Sequence, residues 1–321
     1  MAQRKPAPRP ANQSAPRPSG KRNRNRQPQA PVVDQRLPSA TLIAWISVGA
    51  VLLLVVGLVV VKITKSPATP ASASSPNSAS SSARVVEPLS AATVAAIADL
   101  PISPRPIPPS PVSDPAATAA STPTLTASVN GHALPEVFYY GAEWCPYCGA
   151  ERWALASALS RFGTFSGLQS MYSSPTDYAP NTPTITFAHA TYSSPYLAFS
   201  AVEAYTDTPA PGKTPPYVPL DHLNASQKKI IARYDKGKSF PFVDLANRYT
   251  QTGSAFDPSS LAGLTTDQVA AQLTTSLPAA QSIRAAANDL TAQLCVITHG
   301  QPGSVCQNKA IVALAKQLHL K

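Results

Sequence analysis

The chain has 321 residues, with 35 prolines, only 13% charged residues and a net charge of +10. So much proline and so little charge exclude an even fold along the whole length and imply long unstructured stretches. Residues 1–41 hold nine Lys/Arg and one acid, so +8 of the charge sits there, and a basic folded surface for nucleic acid is excluded.

Residues 1–41 are rich in Pro, Arg, Asn and Gln and lack apolar periodicity. They read as a disordered cytoplasmic tail. The Lys21–Arg26 cluster serves either as a topology signal or as a contact for anionic lipid or nucleic acid, and the apolar run after it favours the topology signal. Residues 42–61, LIAWISVGAVLLLVVGLVVV, carry no charge and no proline. Twenty helical residues span about 30 Å, the thickness of the bilayer core. The upstream cations put the N-terminus in the cytoplasm and the rest outside. A cleaved leader, with Ala71-Ser72-Ala73 as its site, is the rival to an uncleaved anchor; the length of the apolar run and of the basic tail favours the anchor.

Residues 62–125 read as an Ala/Ser/Pro-rich linker with polyproline character in LPISPRPIPPSPVSDP. Within it, Leu89–Leu100 has a helical pattern and is the one segment able to dock, but a bare spacer is the preferred reading. A folded α/β region is expected over 126–321, enough for one core. Val137–Tyr140 reads as a buried strand, and a helix begins after Gly141-Ala142-Glu143 and Trp144. Strands are expected at 168–172, 184–190, 196–205 and within 239–245, where Pro241 opens the strand, with a partner strand from Asn247. Helices are expected at 225–234, 260–273 with Thr265 or Thr266 as cap, 278–297 and 308–318, and 207–219 reads as a Pro-rich loop.

Four cysteines are present. Cys145-Pro146-Tyr147-Cys148 lies where the strand gives way to the helix. A sulfur at a helix start meets unpaired N–H groups and the positive end of the dipole, which favour its thiolate. Pro146 suits the first turn, where its missing N–H costs nothing. Cys145 is therefore assigned as nucleophile and Cys148, one turn in, as resolving thiol. A structural disulfide is the serious alternative. Half of a zinc site is a weak one, because the other cysteines lack this spacing. Trp144 either shields the pair and meets partners or packs on the domain. Tyr147 completes the motif. Glu143 and Glu151 read as solvated helix-end charges, with proton transfer as the rarer role. In an oxidising compartment Cys295 and Cys306, at the ends of a Gly/Pro loop, are expected to form a structural disulfide worth about 3 kcal/mol. A second, electron-relaying pair is the rival reading.

His132, His189, His222, His299 and His319 show no metal-ligand spacing, and there is no phosphate loop, dinucleotide fingerprint or nucleophile elbow. No metal and no organic cofactor are expected.

Phe138–Trp153 resembles the active site of the thioredoxin superfamily: strand, then W-C-x-x-C, then helix. The resemblance makes Pro241, in SFPFVD, the counterpart of that superfamily's cis-proline facing the cysteines. YGAEWCPYCGAERWALASALSRFG, FPFVDLANRY, GSAFDPSSLAGLT and the segment from Cys295 to QPGSVC together resemble domain-of-unknown-function family 929, an archaeal and actinobacterial family with a thioredoxin-like core. The likeness covers about residues 130–310. It implies a thioredoxin-like fold with C-terminal helices. Cys148 and Pro241 are 93 positions apart, so an insertion is expected, centred on 191–234. The resulting expectation is a membrane-anchored extracytoplasmic thiol–disulfide oxidoreductase acting on cysteine-containing proteins, with an unknown redox partner. The alternative is a non-catalytic surface module whose disulfides staple the fold.

Overall fold

Strand β4 organises the fold. The computed structural model of the chain describes residues 86–102, 116–119 and 121–320. In chain order the elements are β1 (Glu87–Pro88), α1 (Ala91–Ala98), β2 (Ala116–Ala117), β3 (Thr126–Val129), β4 (His132–Gly141), α2 (Pro146–Leu159), β5 (Thr164–Ser166), β6 (Gln169–Tyr172), β7 (Pro183–Thr186), β8 (Thr191–Ser193) and β9 (Ala198–Glu203). They continue with β10 (Tyr205–Pro209), β11 (Tyr217–Pro219), α3 (Ala225–Tyr234), β12 (Phe242–Leu245), β13 (Tyr249–Thr252), a 3-10 turn (Pro258–Leu261), α4 (Thr266–Gln272), α5 (Pro278–Ile297), α6 (Gly303–Cys306) and α7 (Lys309–Gln317). The protein is mixed α/β.

β4 pairs antiparallel with β3 along His132–Pro135 and with β12 along Val137–Tyr140, and parallel with β9 along Glu136–Gly141. β13 extends the sheet beyond β12, and β2 closes it. Successive side chains of a strand point to opposite faces, and both faces are covered here. Val137 and Tyr139 of β4, with Val243 and Leu245 of β12, join the core formed with α2 and α5. Phe138 and Phe242 turn the other way and pack with Ile230 and Ile231 of α3. A strand buried on both sides must be apolar throughout, hence the unbroken Val-Phe-Tyr run.

Local signals set the helix boundaries. Asn224 and Gln227 form a capping box at α3, and Thr265 and Gln268 another at α4. Pro278 opens α5 and Asn308 caps α7. The helix expected over 260–273 is broken: Pro258 and Asp257 start the 3-10 turn, and the Thr265 box restarts the chain as α4. The expected loop 207–219 is instead a hairpin, β10–β11, with prolines at the strand ends. Between α2 and β9 the chain also builds two small antiparallel pairs, β5–β8 and β6–β7, the second joined by β1 from the N-terminal side. Strand structure between α2 and β12 therefore begins at Thr164, ahead of the 191–234 stretch.

The folded region also begins before residue 126. Glu87 and Pro88 pair with Ser170 and Gln169, and α1 follows with Ser90 as its cap. Ile97 and Leu100 are buried in the main core, each burial worth about 1.5–3 kcal/mol. Arg161 ties this segment down by donating to Leu100 O, 3.3 Å, and to Ala287 O of α5, 3.1 Å. The basic tail, the apolar run 42–61 and most of the polyproline stretch lie outside the described residues. Among the described residues no helix is long and apolar enough to cross a membrane.

Candidate functional site

Cys145 is the N-cap of α2. Its backbone is extended, with φ −79° and ψ 121°, and its sulfur accepts the N–H of Cys148 at 3.3 Å. Pro146 takes the first helical position. A thiol thus stands where Ser, Thr or Asp usually satisfies an orphan N–H of the first turn. Both cysteines are free. Cys145 is 3% exposed and Cys148 is fully buried. Burial raises the Cys148 thiol well above its ordinary pKa; Cys145 beside it adds to the rise, and Arg152 opposes it.

The Phe240–Pro241 peptide, which leads into β12, is cis. The Phe240 carbonyl oxygen lies 3.9 Å from Cys145 Sγ and accepts from it. Around this contact is a groove of about 490 Å³ lined by Tyr140, Trp144, Cys145, Tyr147, Asp177, Tyr205, Pro215, Lys238 and Phe240. Trp144 is half-buried, stacked on Tyr217 of β11 with ring centres 5.0 Å apart and planes 5° apart. Tyr217 donates to Ser174 Oγ at 2.8 Å, and Ser174 N–H to Trp144 O at 2.8 Å, so the β10–β11 hairpin holds the tryptophan in place. On the other side Tyr147, 39% exposed, stacks on Tyr178, whose hydroxyl donates to Asp257. An aromatic wall thus flanks Cys145 on both sides.

Under the cysteines lies a buried polar layer. Arg152 forks onto Glu203 with Nε–Oε1 2.8 Å and Nη2–Oε2 2.7 Å, both side chains fully buried. Glu143 is 5% exposed and accepts from Thr186 Oγ1 at 2.7 Å. Burial raises its pKa to about 7; the Thr186 hydrogen bond opposes the rise and Glu203 adds to it. Glu151 is fully buried on α2 and is likewise raised to about 7 by burial, against hydrogen bonds from Ala255 N and Gln251. Both acids, expected as solvated helix-end charges, are therefore buried. Cover from β7, β9 and the turn after β13 removes them from water.

The structure brings Cys145, Cys148, Trp144, Pro146, Tyr147 and Pro241 together. Cys295 and Cys306 lie apart, joined in a disulfide between the end of α5 and α6, with Cα atoms 5.4 Å apart. Sequence reading missed Tyr139, Arg152, Thr186, Glu203 and Tyr217. Arg152 alone carried a local signal, its i+4 spacing from Cys148 on one helix face. Among the described residues no group of three or more His, Cys, Asp or Glu side chains is placed to hold a metal ion.

No curated protein and no solved structure matches this chain. The matched family segment contains β4, both motif cysteines and Glu203, but it stops short of Pro241 and the C-terminal disulfide, so it is shorter than the likeness read from the sequence. Residues 113–214 match the family model of a domain of unknown function, DUF929.

Proposed function

We propose that this protein is a thiol–disulfide oxidoreductase with a thioredoxin-like core, acting on cysteine-containing proteins outside the membrane to which residues 42–61 anchor it. The observation that carries the reading is Cys145 itself: a free thiol at a helix start, in an aromatic groove, against the cis Phe240–Pro241 bond, with a second free thiol one turn behind. The thioredoxin-like reading draws support from the strand order β9–β4–β12–β13, with α2 following β4 and the cis proline leading into β12.

In the reducing direction Cys145 attacks a substrate disulfide, forming a mixed disulfide and releasing one substrate thiol. Cys148 then attacks Cys145 Sγ, and the second substrate sulfur leaves with the electron pair. The oxidising direction is the reverse. The cysteine pair carries the electrons, so the chemistry calls for no metal and no organic cofactor. The groove accommodates chain flanking the substrate cysteine, with Trp144 and Tyr147 as its aromatic walls.

The alternative, a non-catalytic surface module, draws on the near-complete burial of Cys145. The test is to trap intermediates with a protein disulfide. Cys148→Ser should accumulate a covalent mixed disulfide through Cys145, and Cys145→Ser should form none and lose reduction, oxidation and isomerisation. If Cys145→Ser keeps all three activities, or if neither thiol reacts after mild reduction, the module reading stands instead.

A further inference from the structure

The exchange written above between Cys145, Cys148 and substrate assigns Arg152 no role, yet its placement is costly. It is fully buried one helical turn beyond Cys148. Helix side chains lean toward the N-terminus, and residues four apart share a face. The guanidinium does reach back: Nη2 donates to Ala142 O at 2.8 Å, the same carbonyl that accepts the Cys145 N–H at 3.2 Å. The cation is thus packed under the turn that carries both cysteines. Glu203 engages Nε and Nη2. Nη1 is buried and donates to nothing, and the buried hydroxyl of Tyr139, whose ring centre is 5.9 Å from the guanidinium carbon, is also without a partner. A buried charged donor left unsatisfied is destabilising and demands an explanation.

We propose that Arg152 is a positioning residue for the resolving step, its spare Nη1 donors receiving the Cys148 thiolate while Glu203 holds the guanidinium in place. This rests on the reading of Cys145 and Cys148 as a redox pair. Resolution needs Cys148 as thiolate. Cys148 gives up its proton, its sulfur bonds to Cys145 Sγ, the Cys145–substrate S–S bond breaks, and the departing substrate thiolate takes the electron pair and, through water, a proton. The substrate disulfide is reduced and the cysteine pair is oxidised. Burial, then Cys145 and, more weakly, Glu203 disfavour a Cys148 anion, and among the described residues Arg152 is the positive charge working against them. Burial also opposes the Arg152 cation, but Glu203 together with Tyr139 and Cys148 raises its pKa on balance.

Dithiobis(nitrobenzoate) separates the two steps in the full chain, reduced with the Cys295–Cys306 bridge intact. Attack by Cys145 releases one coloured thiolate, and resolution by Cys148 releases the second. Arg152→Gln/Glu203→Gln, which removes both charges together, should slow the first phase far less than the second. It should slow the second about tenfold or more at pH 7, one pKa unit on the resolving thiol being a factor of ten, with recovery as pH rises. Arg152→Lys should fall between, and if the double variant does not fold, the second-phase pH profile of Arg152→Lys, displaced upward, decides. An unchanged second phase, or both phases slowing together without a change in pH profile, overturns the proposal. A wild-type chain that releases neither thiolate overturns the redox reading itself, and this proposal with it.

Discussion

Glu151→Gln is expected to leave stability unchanged in mild acid and to raise it in mild alkali. The carboxyl is fully buried on α2, behind the cysteine pair. Oε2 accepts from Gln251 Nε2 at 2.8 Å and from Ala255 N at 2.9 Å. Oε1 has no partner, and neither does Oε1 of Gln251. Burial raises the carboxyl from 4.5 to about 7. Between those values the folded chain holds a proton that the unfolded chain has lost. The stabilisation is therefore present in full below about pH 4.5 and is gone once pH has risen through about 7. At about 1.4 kcal/mol per pH unit, the interval amounts to about 3 kcal/mol. Glutamine keeps the shape and an acceptor oxygen, and adds an uncharged donor. The variant should gain about 3 kcal/mol over wild type at pH 8 and match it near pH 4.5. Denaturant unfolding followed by tryptophan fluorescence, across pH 4.5–8 with the disulfide intact, measures the difference. A difference that is flat with pH, or one that grows toward acid, refutes the argument.

Two further outcomes concern packing and the C-terminal bridge. In Gly141→Ala the new Cβ meets Tyr139 Oη at 2.2 Å and Cζ at 2.6 Å. That ring is fully buried and packed edge-on against Phe187, so the variant should lose about 1–3 kcal/mol in unfolding experiments; Tyr139→Phe in the same chain should recover part of it, and no loss would mean that the strand end is loosely packed. Removing both Cys295 and Cys306 frees a crosslink that spans 11 positions; the double Ala variant should lose about 3 kcal/mol, read as a lower Tm than the oxidised parent, and an unchanged Tm would show that the bridge constrains nothing the helices do not already hold.

What the sequence made legible was local. The helices expected over 225–234 and 278–297 match α3 and α5 to the residue, because a cap or an opening proline acts within its own turn. Cys145 and Pro146 are readable for the same reason. The polar layer beneath them is not. Glu203 reaches Arg152 across 51 positions, and Thr186 reaches Glu143 across 43. The i+4 spacing put Arg152 on the Cys148 face but gave no sign of burial, and a helix-end Glu looks solvated until another strand covers it. The docking of α1 depends likewise on partners that lie far along the chain. The hairpin β10–β11 was obscured by its prolines, which a central strand excludes but a two-stranded edge tolerates.

The position of β4 bears on where this domain can be cut. The segment matched to the family ends at residue 214, within the β10–β11 hairpin. A piece ending there would have β4 without its antiparallel neighbour β12, and α2 without α5. It would also lack Phe240, whose carbonyl meets the Cys145 sulfur, and Gln251, one of the two donors to Glu151. The family boundary therefore marks where sequences are alike, not where a hydrophobic core closes. A fragment meant to keep the cysteine pair in its native surroundings has to run from Glu87, where β1 begins, to the end of α7.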